Sequence, residues 1–372
     1  MKSLKSFAFI LIILLPLLAA GQDPALIVQQ YKAKLATIQT VACEVEQLDT
    51  FVTGHVWHFT GQALLQRNTD DPLFGFKYKS SKSVGGEAFY DGNAEFQIEH
   101  EKKEYEMNAN PGTYILGSPG GQLIVEELMY YKDDTIAPSV TETPTHYILQ
   151  YAYPDLTQFD VTERVKEIYL DKASFLPTKV VKRQLSLGKK QVIRRSLRHL
   201  VLNDPTHSSQ FDNLFLNTYQ PILEEGNEDL HKDLLQTTVR DFSVEAFDGA
   251  SVSIQSKKGK VVLIDFWEVW CGPCRSSMPK VQAMHEKYQD QGLEVMGVLL
   301  DKKSIDSAQL FLDKKGFSFA QNIGGQELKD YFRILAIPQY VLIDREGKIQ
   351  QVYQGYHEEI EEEVKALLGQ VK

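Results

Sequence analysis

The plainest chemistry in this sequence belongs to two thiols three residues apart, Cys271 and Cys274. Gly272 and Pro273 lie between them and permit a tight approach, so the sulfurs can close a small disulfide ring and open it again. An apolar run at 261–266 has strand composition, and the segment after the pair, clearest at 278–289, reads as helix with Pro279 bending it. That order places Cys271 at the first turn of a helix, where unpaired backbone N–H groups and the helix dipole favour a thiolate. Trp267 and Trp270 are expected to pack beside the pair and shield it, while Glu268 is read as a surface residue. A metal site does not follow, because the sequence has no second C-x-x-C or Cys/His partner set. Nothing calls for a cofactor.

The elements that position these thiols belong to a longer design. A chain of 372 residues can hold two domains, and 43% hydrophobic with 24% charged residues is a globular composition. The net charge of -10 argues against an extended nucleic-acid surface, so no such partner is expected. Lys2 and Lys5 precede an apolar run at 7–20 followed by Gly21, the arrangement of a secretory signal peptide over 1–21. The chain is therefore expected in the periplasm or another extracytoplasmic space, soluble after cleavage. Three cysteines cannot form a disulfide framework, and Cys43, in an alternating segment, is expected to face a core as an inert thiol.

After an opening helix near 24–35, residues 22–204 hold many alternating or β-branched stretches divided by turn signals, including 52–65, 74–78, 88–98, 113–116 and 146–153. Helix is expected near 123–131. This predicts a curved antiparallel β-sheet, a half-barrel, with a few helices against it. His55 and His58 would lie on opposite faces of a strand, a poor metal pair. Tyr130, Tyr131, Tyr147, Tyr151 and Tyr153 suit a sheet core or the lining of an apolar cavity. The opening helix, the TVACEVEQ strand and the YLDKASFLPTKVVKR stretch resemble the periplasmic lipoprotein-carrier and lipoprotein-sorting proteins. That resemblance implies an apolar ligand or a protein partner. Residues 205–238 read as a partly helical linker, with short helices at 212–219 and 228–236.

Residues 239–372 begin with a hairpin at 241–254, then the central strand and the thiol pair. Strands follow at 293–300, 340–343 and 349–353, with helices at 304–315, 327–332 and 358–368. GKVVLIDFWEVWCGPCRSSMP, VMGVLLD and AIPQYVLIDREGKI resemble the secreted TlpA/ResA-like class, an α/β thioredoxin fold with an added N-terminal β-hairpin. The resemblance implies that Cys271 is the nucleophile, Cys274 the resolving cysteine and Pro338 a cis-proline facing them. Ile337, where the family often has threonine, would then offer its backbone to a thiol-bearing partner. Asp265, six residues before Cys271, stands at the position of thioredoxin's buried acid. There it would have a raised pKa and accept the Cys274 proton, with Lys302 or Lys303 able to compensate it.

The function expected is an exported thiol-disulfide oxidoreductase that reduces disulfides of protein clients and is recharged by a membrane thiol electron donor. A thiol oxidant or disulfide isomerase is the alternative within the same chemistry. A different class, a module binding an apolar ligand or client with a regulatory redox domain, stays open because over half the chain lies outside the redox part.

Overall fold

A computed structural model describes residues 23–83, 86–117, 120–133, 135–222 and 230–369. The expected signal peptide lies outside the described residues. Among them no helix is long and apolar enough to cross a membrane.

The first half opens with α1 (Pro24–Ala36), capped by Asp23, whose Oδ1 accepts from the Ala25 amide at 3.0 Å. Its other end is closed from a distance. Arg67 donates to the Leu35 carbonyl (3.0 Å), which also accepts the Ile38 amide, and to the carbonyls of Ile38 (2.9 Å) and Met129 (2.8 Å) beyond the helix. Six strands follow as a meander: β1 (Thr40–Thr50), β2 (Val56–Arg67), β3 (Phe76–Lys82), β4 (Glu87–Tyr90), β5 (Glu95–Glu99) and β6 (Glu104–Asn108). A second meander comprises β7 (Ser139–Glu142), β8 (His146–Tyr153), β9 (Val161–Asp171), β10 (Pro177–Ser186) and β11 (Lys189–Leu202). Antiparallel pairing of β1 with β11 joins the two, and the register slips at Cys43. With β12 (Gln220–Pro221) parallel to β6, the result is one 12-stranded sheet with open edges at β12 and β7.

Alternation along β1 and β8 turns one face to a core that α1 covers with Ile27, Tyr31 and Leu35. Tyr147 and Tyr151 belong to that core, whereas Tyr130, Tyr131 and Tyr153 are only half-buried at its margin. Two expectations for this half need correction. Residues 113–116 form a 3-10 turn (Thr113–Gly117) where strand was expected. The helix expected at 123–131 is two 3-10 turns, Gly121–Leu123 and Glu126–Leu128, too short to propagate an α-helix. The linker is likewise made of 3-10 turns, Ser208–Phe211 and Leu214–Thr218, pinned by Phe211 and Leu216 against Phe89 and Phe96. Part of the second expected linker helix, 228–229, lies outside the described residues, and 230–236 are turns whose Leu234 packs on the second sheet.

That second sheet has seven strands in the order β14-β13-β17-β16-β15-β18-β19. Its added hairpin is β13 (Ser243–Ala246) and β14 (Ser251–Ser253). The centre is β15 (Val261–Trp267), every residue buried, leading to α2 (Gly272–Tyr288). Then come β16 (Leu293–Leu299), α3 (Ile305–Lys315), β17 (Ala320–Ile323), α4 (Gln326–Tyr331), β18 (Gln339–Ile343), β19 (Ile349–Gln354) and α5 (Glu359–Gly369). β15, β16 and β17 are parallel, and β18 runs antiparallel to β15. Strand alternation gives β15 two apolar faces. Leu263 and Trp267 pack with α2, α3 and α5, while Val262, Ile264 and Phe266 pack with Leu328 and Phe332 on the other side.

The two sheets meet over α2 and α3. Val52, in the turn after β1, and Leu187, in the turn after β10, join the apolar cluster of Cys274, Met278 and Phe311. Asp160 receives Lys314 at 2.7 Å and Lys315 at 3.2 Å, and Lys189 donates to the Ser307 hydroxyl at 2.7 Å.

Candidate active site

Cys271 is the N-cap residue of α2, with Pro273 in the first turn. Its Sγ accepts the Cys274 amide hydrogen at 3.1 Å, the kind of donor that stabilises charge on sulfur at a helix start. Cys271 and Cys274 are joined as a disulfide with an S–S distance of 2.02 Å. Cys274 is fully enclosed, and Cys271 is 4% exposed. Gly272 has open space around its Cα, so nothing crowds the turn between the sulfurs.

The loop before β18 closes over the pair. The Ile337–Pro338 peptide bond is cis, and the Ile337 carbonyl oxygen lies 3.6 Å from Cys271 Sγ. Trp270, next to Cys271 in the chain, is 53% exposed, and Leu335, two residues before Ile337, is 74% exposed. The two tryptophans therefore separate. Trp267 is wholly buried, donating Nε1–H to Gln321 Oε1 at 3.0 Å and packing on Phe311. Trp267 lies in the apolar cluster of Cys271 and Cys274, whereas Trp270 is largely exposed.

Asp265 shares the α2 face of β15 with Leu263 and Trp267 and is 1% exposed. Neither carboxyl oxygen has a hydrogen-bond partner among the described residues, and burial pushes its pKa up to about 8. Beside it on β18 is Tyr340, whose hydroxyl meets Ser277 Oγ at 2.8 Å, and Ser277 Oγ donates to the Cys274 carbonyl at 3.0 Å. Sequence reasoning missed Ser277 and Tyr340. Compensation by Lys302 does not occur, because Lys302 pairs with Glu245 at 2.7 Å. Lys303 is exposed, and desolvation is the sole cause of the Asp265 shift.

Glu268 overturns its assignment to the surface, being 2% exposed. Its Oε1 accepts the Asp301 amide at 2.5 Å, and its backbone carbonyl accepts the Cys271 amide at 3.0 Å. Burial is the largest influence on the side chain and lifts its pKa to about 7. The signal in the sequence was an acid flanked by Trp267 and Val269 inside an otherwise apolar run. Arg275, next to Cys274, was also missed. It lies over Phe311 at 5.0 Å, gives Nη1 to Ser186 Oγ at 3.4 Å, and leaves Nε and Nη2 without partners among the described residues. Cys43 is remote from this site, buried in the first sheet, with its pKa pushed up to about 12 by burial.

A dithiol/disulfide pair at a helix start, a backbone carbonyl facing the outer sulfur and a buried acid on the strand behind define a thioredoxin-type redox centre. The Redoxin family profile matches residues 235–368. Thiol-disulfide oxidoreductase ResA of Bacillus thuringiensis subsp. konkukian (strain 97-27) is 31% identical over 130 residues, 34% of this chain and 74% of that protein. Thioredoxin-like protein YneN of Bacillus subtilis (strain 168) is 32% identical over 117 residues, 31% of this chain and 68% of that protein. ResA of Halalkalibacterium halodurans is 31% identical over 115 residues, and there the matched part is 65% of the relative, short of two thirds of its length. A solved thiol:disulfide interchange protein of the thioredoxin family from Chlorobium tepidum TLS aligns over 36% of this chain and 97% of its own, at 25% identity and a TM-score of 0.34. Through this C-terminal part the chain belongs to the ResA-like thiol-disulfide oxidoreductases.

Proposed function

We propose that this protein is an exported disulfide reductant for protein clients, working through Cys271 and Cys274. The observation that carries the reading is the setting of Cys271: its sulfur accepts a helix-start amide, faces the Ile337 carbonyl at 3.6 Å, and is the more exposed of the pair. Lys2, Lys5 and the apolar run at 7–20 support export. A membrane thiol electron donor would return the protein to its dithiol form.

In the cycle, the Cys271 thiolate attacks one sulfur of a client disulfide. The client S–S bond breaks, a Cys271–client bond forms, and the departing client thiolate takes a proton. An extended client segment lies along the Ile337 backbone, with Trp270 and Leu335 as apolar walls. Cys274 then passes its proton to the Asp265 carboxylate, directly or through water, and attacks Cys271 Sγ. The second client thiolate leaves and is protonated, and two electrons have moved from protein to client. Asp265 suits this role because a group near pKa 8 can both take and return a proton around neutral pH.

Two variants test the cycle. Cys271→Ser should abolish client reduction, and Cys274→Ser should accumulate the mixed disulfide. Full activity of the Cys271 variant would remove the proposal. Direction is read from equilibration against glutathione or dithiothreitol. A potential near thioredoxin's, about -270 mV, supports a reductant, whereas one near about -120 mV would make the protein an oxidant.

A further inference from the structure

Of the two buried acids near the redox pair, the proposed cycle uses only Asp265. The other, Glu268, is the first residue of the turn that ends at Cys271. Strand β15 stops at Trp267, and the Cys271 amide donates to the Glu268 carbonyl at 3.0 Å, closing a four-residue turn over 268–271. Trp267 and Val269, on either side of Glu268, are wholly enclosed, so the turn rises from a packed base.

The Glu268 side chain reaches the loop that follows β16. β15 and β16 are parallel neighbours with Trp267 opposite Leu299, so both loops start at the same edge of the sheet. Asp301, in the second loop, gives its amide to Glu268 Oε1 at 2.5 Å. That loop is itself held: Asp301 Oδ1 accepts the Lys303 amide at 3.0 Å, and the Asp301 carbonyl accepts the Ser304 amide at 2.9 Å. Ser304 is fully buried where α3 begins. Glu268 thus joins the turn of Cys271 to a braced neighbour, with one hydrogen bond through its backbone and one through its side chain.

Stability does not account for this acid. Glu268 is 2% exposed, and its Oε2 is buried without a hydrogen-bond partner among the described residues. A carboxyl enclosed with one oxygen unserved costs stability. Burial outweighs the Ser304 hydroxyl and the Asp301 and Leu300 amides, which favour the anion, while the Asp301 charge works with burial. A residue that weakens the fold where it stands is explained by what it does for the site.

We propose that Glu268 is a positioning residue for Cys271: its bond to the Asp301 amide holds the 268–271 turn so that the Cys271 sulfur meets the Cys274 amide at the start of α2. That amide contact, 3.1 Å long, is what stabilises a thiolate there. A turn released from Asp301 loses the alignment, and the Cys271 thiol becomes harder to ionise. The proposal rests on the reading of Cys271 as the nucleophile.

The test is the pH profile of iodoacetamide labelling at Cys271 in the reduced full-length protein, with the labelled residue identified by mass spectrometry. Two substitutions separate reach from charge. Glu268→Asp keeps the carboxylate but falls one methylene short of the Asp301 amide, whereas Glu268→Gln keeps the reach and an accepting oxygen without the charge. On the acid limb of the profile, Glu268→Asp should label Cys271 about tenfold more slowly than the parent, with the midpoint moved to higher pH. Glu268→Gln should restore the parent profile. A Glu268→Asp variant with the parent profile, or a Glu268→Gln variant shifted to higher pH, would overturn the proposal and leave the redox reading intact. The glutamine variant decides the matter alone if the aspartate variant does not fold. A parent in which Cys271 labels no faster than Cys274 would remove the nucleophile reading, and the proposal with it.

Discussion

Behind the sulfurs, two acids of one short run differ in what holds them. Asp265 has no polar partner among the described residues, while Glu268 is tied to the Asp301 amide. The pKa of Asp265 rises from 3.8 to about 8, so the folded state keeps a proton that the unfolded chain releases. Its stabilising contribution is complete below about pH 4 and is lost as pH rises through about 8. Asp265→Asn removes that dependence. The variant should gain stability over the parent between about pH 4 and 8, reaching on the order of 5–6 kcal/mol and level above that, as melts across the range would show. It should also slow resolution of the mixed disulfide. A flat difference with pH would mean that the carboxyl is not protonated in the folded protein. Glu268→Gln should show the same sign, levelling off near pH 7, because its shift stops at about 7. Asp265 was legible from its position before the thiol pair. Glu268 was not, because its burial comes from a loop that follows β16.

At the scale of elements, local pattern carried the C-terminal part well. The apolar run of β15, the helix after Cys271 and the added hairpin all lie within one or two residues of where the sequence placed them, apart from the early start of α2. The first sheet was legible as antiparallel strands, but the closing pair β1–β11 was not, since it joins residues separated by most of the domain. The contact that holds the end of α1 was hidden for the same reason, because Arg67 on β2 donates to the Leu35 carbonyl and to that of Ile38 just beyond the helix. Arg67→Ala removes three side-chain hydrogen bonds at once, those to the Leu35, Ile38 and Met129 carbonyls. It should lower the stability of the first domain by about 2–4 kcal/mol, as an earlier first transition in urea with the redox domain's transition unmoved. Coincident loss of both transitions would show that the domains unfold as one.

For the whole molecule, the contact between the sheets decides what the first domain does for the second. Val52 and Leu187 enter the apolar cluster behind the redox pair, and Asp160 lies against Lys314 and Lys315. Asp160→Lys puts three cations together beside Arg275 and should part the domains, seen as a larger radius of gyration and faster tryptic cleavage at α3. An unchanged scattering profile would mean that the apolar contacts hold the interface without the charges. The bland assignment of Cys43 has a use at this scale. With Cys271 and Cys274 joined, Cys43 is the one remaining thiol of the three, sealed inside the first sheet. A thiol held at pKa about 12 reacts with an alkylating reagent only when its surroundings open. The oxidised protein thus carries its own clock: the rate at which it takes up one label counts the openings of the first domain, with no engineered probe.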